Sequence, residues 1–183
     1  MNHIENTGLN NIVTEKDMET LRIQLDRIPR GVKAIPARCK CGKPITVMTS
    51  PRLDDGSPFP TVFYLTHPVA VKGCSVLEAE KFMEKMNEIL KQDEDLQIKY
   101  LKAHEDYISR RNALGEVDEI KNVSAGGMPT RVKCLHALLA HTFSVGVGVN
   151  PMGDWVLDEL IKRGLWDENK CMCVNKVNIE EEK

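Results

Sequence analysis

Three short runs rich in β-branched and aromatic residues, Val32 to Ile35, Ile45 to Thr49 and Val62 to Leu65, are punctuated by Gly and Pro, and from Ser75 onward the apolar spacing becomes helical. This change of period constrains the chain more than any other feature. It predicts an α+β fold in which a small antiparallel sheet packs against about four to five helices. The first connection of the sheet, Cys39-Lys40-Cys41-Gly42-Lys43-Pro44, is a tight turn resembling a metal knuckle, and Arg52 to Pro60 forms a longer polar loop. Before the sheet, Met18, Leu21 and Leu25 lie at helical spacing within Thr14 to Arg27. Thr14 and Asp17 form a capping box with the shorter acid, and Ile28-Pro29-Arg30-Gly31 ends that helix.

After the sheet, Leu77, Met83, Met86 and Leu90 make one stripe, and Leu96, Tyr100, His104 and Tyr107 a second beyond the polar break Gln92 to Asp95. Two consecutive antiparallel helices are expected. A third runs from Thr130 to Phe143 with Pro129 in its first turn, and a last one from about Pro151 to Arg163 is closed by Gly164. The organisation that follows is a flexible N-terminus (1–13), a single α+β domain (14–166) and a polar, disordered tail (167–183).

The 183 residues are 42% hydrophobic, enough for one core, and the formal net charge of -2 excludes a global polycation built for nucleic acid. No run approaches the ~20 apolar residues of a membrane span, and a cytoplasmic protein is expected. Six cysteines are too few and too unevenly spaced for a disulfide scaffold. In a reducing compartment the pairs Cys39/Cys41 and Cys171/Cys173 point to metal, although the second pair falls in the suspected tail, where accessory binding is the expectation.

Cys39-x-Cys41-Gly42 lets two thiolates address one ion while glycine allows the turn; two buried, unligated cysteines are the plain alternative. Further ligands must come from elsewhere. His67 leaves the strand ending at Leu65, and Cys134 and His141 lie seven residues apart on one face of the expected helix, with His136 on a different face. His104, on its apolar stripe, reads as a hydrogen-bonded core histidine.

The stretch from Arg27 to Leu53 carries Arg27, Arg30, Lys33, Arg38, Lys40, Lys43 and Arg52 with no acid. This basic edge, 27–53, suits a phosphate-bearing small molecule or single-stranded nucleic acid, or serves as a solvated sheet edge protected by charge. Gly126 and Gly127, followed by Arg131 and Lys133, form a glycine loop opening a helix, where an anion can be cradled, or simply a helix start. It is neither a Walker loop nor a dinucleotide fingerprint.

The ordered strings Arg38-Cys39-x-Cys41-Gly42-x-Pro44, Pro51-Arg52-Leu53-x-Asp55-Gly56, Phe59-Pro60-Thr61, Tyr64-Leu65-Thr66, Ala103-His104-Glu105, Ser124-Ala125-Gly126-Gly127-Met128-Pro129, Arg131-Val132-Lys133-Cys134-Leu135-His136 and Gly148-Val149-Asn150-Pro151-x-Gly153-Asp154 together resemble the bacterial family catalogued as domain of unknown function five hundred and one. The resemblance covers roughly Leu25 to Leu157. It implies motifs rather than a mechanism. It also implies that a cysteine commonly stands where this chain has His67, an exchange that preserves a zinc ligand, and that makes zinc a better expectation here than an iron-sulfur cluster. The expected metal set is therefore Cys39, Cys41, His67 and Cys134 around one zinc, with His141 in reserve. If only three bind, a zinc-bound water can act as nucleophile, with His141, Glu105 or Asp154 moving protons. The rival classes are a zinc-ribbon-like adaptor binding nucleic acid or a protein partner through the basic edge, and an iron-sulfur or thiol redox protein. Whether the chain is an enzyme stays open at this stage.

Overall fold

The computed structural model describes residues 12–173. Strands β1 (Val32–Arg38), β2 (Pro44–Thr49) and β3 (Phe63–Leu65) form one antiparallel sheet in the order β1-β2-β3. Around it lie α1 (Glu15–Leu25), α2 (Pro68–Ala79), α3 (Phe82–Gln92), α4 (Glu94–Asn112), α5 (Leu135–Val145) and α6 (Pro151–Lys162). The fold is the expected α+β arrangement, with six α-helices among the described residues instead of four to five.

The difference has a local cause. Pro68 occupies the first turn of α2, where its missing N–H costs nothing, so helix begins well before Ser75. Lys81 then adopts a left-handed φ of 63° and divides the stripe that joins Leu77 to Met83 into α2 and α3.

A second departure matters more for function. The segment from Thr130 to Cys134 is not helical, and α5 starts only at Leu135. Its backbone groups are satisfied by tertiary partners: Asn87 of α3 accepts from Val132 N at 2.8 Å and donates to Val132 O at 2.9 Å, and the Gly126 carbonyl accepts from Lys133 N at 2.7 Å. A backbone already paired in this way gains nothing from helix formation. Pro129, joined to Met128 by a cis peptide, thus lies outside the helix it was expected to open.

The sheet is covered on both sides. Leu21 of α1 packs with Ile35 and Val47 in a small cluster, while the main core is organised about α5, which contacts all three strands, α2 and α6. Leu135, Leu138 and Leu139 of α5 are fully buried and each contribute about 1.5–3 kcal/mol by leaving water.

The capping box of α1 forms, with Asp17 N donating to Thr14 Oγ1 and Thr14 N to Asp17. Asp17 is also the partner of Arg38, whose guanidinium reaches both carboxylate oxygens at 2.6 and 3.0 Å and the Gly42 carbonyl at 2.9 Å. Helix α1 is thereby tied to the cysteine turn. The Arg38 guanidinium, assisted by Thr14 and opposed by burial, holds the Asp17 carboxyl at about 2. A carboxyl depressed on folding stabilises the protein above its unfolded pKa of ~3.9, and that contribution fades as pH falls through about 2. Arg38→Met is expected to cost about 1–2 kcal/mol at neutral pH, part of the full linkage value being lost to solvent that still reaches the Arg38 guanidinium beside the buried Asp17. Urea unfolding at neutral pH and near pH 2 checks this, the gap between variant and wild type narrowing in acid.

Candidate metal centre

The turn that joins β1 to β2 is fixed by Cys39 N donating to Lys43 O at 2.8 Å and by Gly42 N donating to Cys39 O at 2.7 Å. Gly42 takes a φ of 86°, open to glycine at no steric cost. The turn presents Cys39, buried, and Cys41, exposed, toward one spot.

That spot is completed from the far end of the described chain. After α6, Gly164 reverses direction in a left-handed conformation and Trp166 enters the core, where its ring meets His67 and Phe143 at centroid distances of 5.1 and 5.2 Å. Anchored there, the segment runs on to the cysteine turn. Cys171 Sγ lies 3.8 Å from Cys39 Sγ, Cys173 Sγ lies 3.3 Å from Cys41 Sγ, and the four sulfurs all fall within 4.8 Å of one another.

His67, the N-cap of α2, is fully buried beside them, with Nε2 at 3.2 Å from Cys173 Sγ. Burial, with some repulsion from Lys43, pushes its pKa down to about 4, so the ring is neutral at pH 7. Nδ1 has no hydrogen-bond partner. The tautomer that leaves a bare lone pair on Nδ1 and donates Nε2–H to the sulfur is the cheaper one, because a buried N–H without an acceptor costs more. The thiols respond to each other as like charges do: burial, then Cys41 and Cys39, push the Cys173 thiol up. Cys39 is held at about 7 despite its burial by the Cys41 and Met172 backbone N–H groups and the neighbouring thiols. Four such groups ionise together only around a cation.

Of the expected ligands, Cys39 and Cys41 stand at this centre and His67 touches its edge. Cys134 does not join them; it lies with Glu78 and His136 in a separate group. Because α5 begins at Leu135, Cys134 is its N-cap and the expected face shared with His141 does not form. His141 is instead fully buried, its Nε2 at 3.0 Å from Asp106, its Nδ1 at 3.2 Å from the Asn150 amide and its ring stacked on Phe63. Asp154 accepts from Thr142 Oγ1 and Gly148 N, bracing the link between α5 and α6. Glu105 is exposed on α4, and His104 Nδ1 lies 2.8 Å from Ser124 Oγ. These three catalytic candidates make no contact with the cysteines in this arrangement.

The glycine loop does not open α5. Gly126 and Gly127 take positive φ, a Cβ on either would also collide with Leu138 or with the Arg131 carbonyl, and Arg131 N bonds back to Gly127 O at 3.1 Å. Arg131 and Lys133 are exposed. On the basic edge, Arg30, Arg38 and Arg52 pair with Asp55, Asp17 and Glu119, and Arg27 donates to the Tyr64 hydroxyl at 3.2 Å; Lys33, Lys40 and Lys43 are exposed.

Cys171 and Cys173 are the members of this cluster that the expected ligand set lacks. Their signal was the spacing itself: Cys171-Met172-Cys173 repeats the one-residue gap of Cys39-Lys40-Cys41. The expected tail begins at Asp167, yet 167–173 are described and Met172 and Cys173 pack on the main core; the remainder of the tail and residues 1–11 lie outside the described residues. Among the described residues no helix is long and apolar enough to cross a membrane.

Neither the curated proteins nor the solved structures contain a match to this chain. A family match covers residues 35–158, more than half of the sequence, taking in Cys39, Cys41, His67 and Cys134 but not Cys171 or Cys173. The turn, the second half of β1, strands β2 and β3, α2 to α5 and most of α6 lie within that span, and the chain belongs to the family described as Protein of unknown function (DUF501).

Proposed function

We propose that Cys39, Cys41, Cys171 and Cys173 bind one zinc ion in a closed structural centre that fastens the segment after α6 to the β1–β2 turn. The observation that carries this reading is the convergence of four sulfurs within 4.8 Å from two turns far apart in sequence. Tetrahedral zinc with bonds of ~2.3 Å spaces its sulfurs by about 3.8 Å. One cross-turn separation, 3.8 Å, matches that value and the other, 3.3 Å, falls short of it by an amount that small side-chain rotations can close. A multi-iron cluster must sit between its cysteines and hold them further apart, which fits this cage less well. Four thiolates leave zinc no open position, so the ion organises structure and does not activate water.

His67 then acts on the metal through sulfur. Its Nε2–H donates to Cys173, drawing charge from that thiolate in the way second-layer partners tune metal ligands. Trp166 and the buried His67 shield one side of the cage, and Cys41 and Cys171 leave the other open to solvent for metal entry.

Elemental analysis and an absorption spectrum of protein purified without an affinity metal test this reading. About one zinc per chain and a colourless spectrum are expected, with Cys134→Ser keeping the metal and Cys39→Ser losing it. Iron with visible absorption, or zinc that survives Cys39→Ser, would overturn the assignment.

A further inference from the structure

Apart from the four-cysteine centre, Glu78 of α2 and Cys134 and His136 at the start of α5 bring a carboxylate, a thiol and an imidazole within 4.8 Å of one another. Cys134 and His136 line a cleft of about 820 Å³ whose walls include Phe63, Leu65, Val71 and Lys72. None of these groups takes part in the proposed zinc centre.

The hydrogen bonds of His136 define its charge. Nδ1 lies 3.2 Å from Glu78 Oε1, and Nε2 lies 3.2 Å from the Val71 carbonyl oxygen and 3.3 Å from Ser75 Oγ. A backbone carbonyl and a carboxylate only accept, so both ring nitrogens carry protons and the ring is an imidazolium. An imidazolium has no lone pair for a metal, so this arrangement favours an ion pair with Cys134 over a second metal site. Glu78 is itself held in place, since Oε1 accepts from Leu135 N at 2.8 Å across the N-terminus of α5.

Cys134 occupies the N-cap position of that same helix. A neighbouring cation and the positive pole of a helix are the two influences that turn a thiol into a thiolate at neutral pH. Burial opposes the ionisation, but the His136 ring and the Ala137 N–H outweigh it and hold the Cys134 thiol below its ordinary value. The His136 ring is correspondingly raised, first by Cys134, against burial, and then by Glu78. The other titratable groups facing the sulfur are Cys74 of α2 and Tyr107 of α4, both kept neutral by burial, and Lys72 stands at the rim.

We propose that Cys134 is a nucleophilic thiolate that accepts an acyl group from a thioester bound in this cleft, with His136 as counter-ion and proton source and Glu78 as a positioning residue. The apolar walls suit an acyl chain, and Lys72 suits an anionic group on the donor. In the transfer, Cys134 Sγ forms a bond to the thioester carbonyl carbon and the bond from that carbon to the leaving sulfur breaks. The leaving sulfur departs with the electron pair and takes one proton from the imidazolium, leaving S-acyl Cys134, a free thiol and a neutral ring. No oxidant or reductant is required.

The test uses metal-loaded full-length chain, with peptide mass analysis reporting each cysteine separately. Iodoacetamide near pH 6 is expected to alkylate Cys134 of the wild type roughly ten-fold faster than Cys134 of His136→Gln or His136→Phe, since an ordinary thiol with a pKa of ~8.5 is almost wholly protonated there. Incubation with an octanoyl thioester is expected to place one acyl group on Cys134, absent from Cys134→Ser, while the zinc content of that variant stays at the wild-type value. The wild-type pH profile decides the matter even where a His136 variant folds poorly. A Cys134 alkylation rate that rises only through the ordinary thiol range, an acyl group that is missing or scattered over several cysteines, or a metal ion retained by Cys134 and His136 overturns the proposal. Zinc lost from the four-cysteine centre, with Cys134 still reactive, would instead count against the metal reading alone.

Discussion

Replacing Cys171 and Cys173 together by serine is expected to abolish binding of the proposed zinc ion and to lower the unfolding free energy by about 4 kcal/mol. Structural zinc contributes ~10–16 kcal/mol in small peptides that have no fold without it. Here most of the core, from Leu21 to Leu160, is built from residues that do not touch the metal, so the loss is a fraction of that figure and the sheet and helices persist. The cost arises where the segment after Trp166 detaches and uncovers His67. Denaturant unfolding with and without a strong chelator measures it: chelator should bring the wild type down to the level of the double variant and leave the double variant unchanged. Wild-type stability with one zinc retained in the double variant would place the metal elsewhere.

Gly153→Ala is the second large effect, expected to cost about 3 kcal/mol through overpacking. Gly153 lies on α6 where that helix crosses α5, and a Cβ there would fall far inside van der Waals contact with the Leu138 carbonyl oxygen and Thr142 Oγ1. The obstacle is backbone of the central helix, which cannot move without disturbing the sheet it covers. Gly73→Ala provides the contrast. Its Cβ would meet the Leu160 side chain at 2.8 Å, the far end of a flexible group that can turn aside, so about 1 kcal/mol or less is expected. For a chain of this length the first substitution lowers the melting temperature by roughly 6–12 °C and the second by no more than ~4 °C. Equal melting shifts would mean that the helices separate more easily than their packing implies.

What the sequence made legible was local. The three strands, the capping box at Thr14 and Asp17, the turn at Cys39 and the stop at Gly164 each depend on neighbours within a few residues, and all are present. What it hid depends on distant partners. Nothing near Cys171 announces that Trp166, a few residues earlier, will anchor the chain in the core and carry both cysteines to a turn formed near the other end. The polar composition after Asp167 argued for disorder because composition cannot register one buried ring.

Cys134 shows the same limit in another form. Its apolar surroundings read as helix from Thr130, but Asn87, from α3, takes up the backbone of Val132 and delays the helix to Leu135. That delay moves Cys134 from the middle of a helix to its positive end, beside His136, and changes what its sulfur can do. Glu78, the third member of that group, carried no local signal at all.

The pairing of Cys39 with Cys171 also has a consequence in time. The two residues are separated by 132 positions, which a ribosome adding ~5–20 residues per second covers in roughly 7–26 s. For that interval each nascent chain offers Cys39 and Cys41 as a half-built, two-thiol site, free to be oxidised or to pair with the same turn of a neighbouring chain on the same message. Synthesis under zinc starvation or oxidative stress should therefore yield cross-linked chains that the finished protein, once its second pair of thiols has arrived, no longer forms.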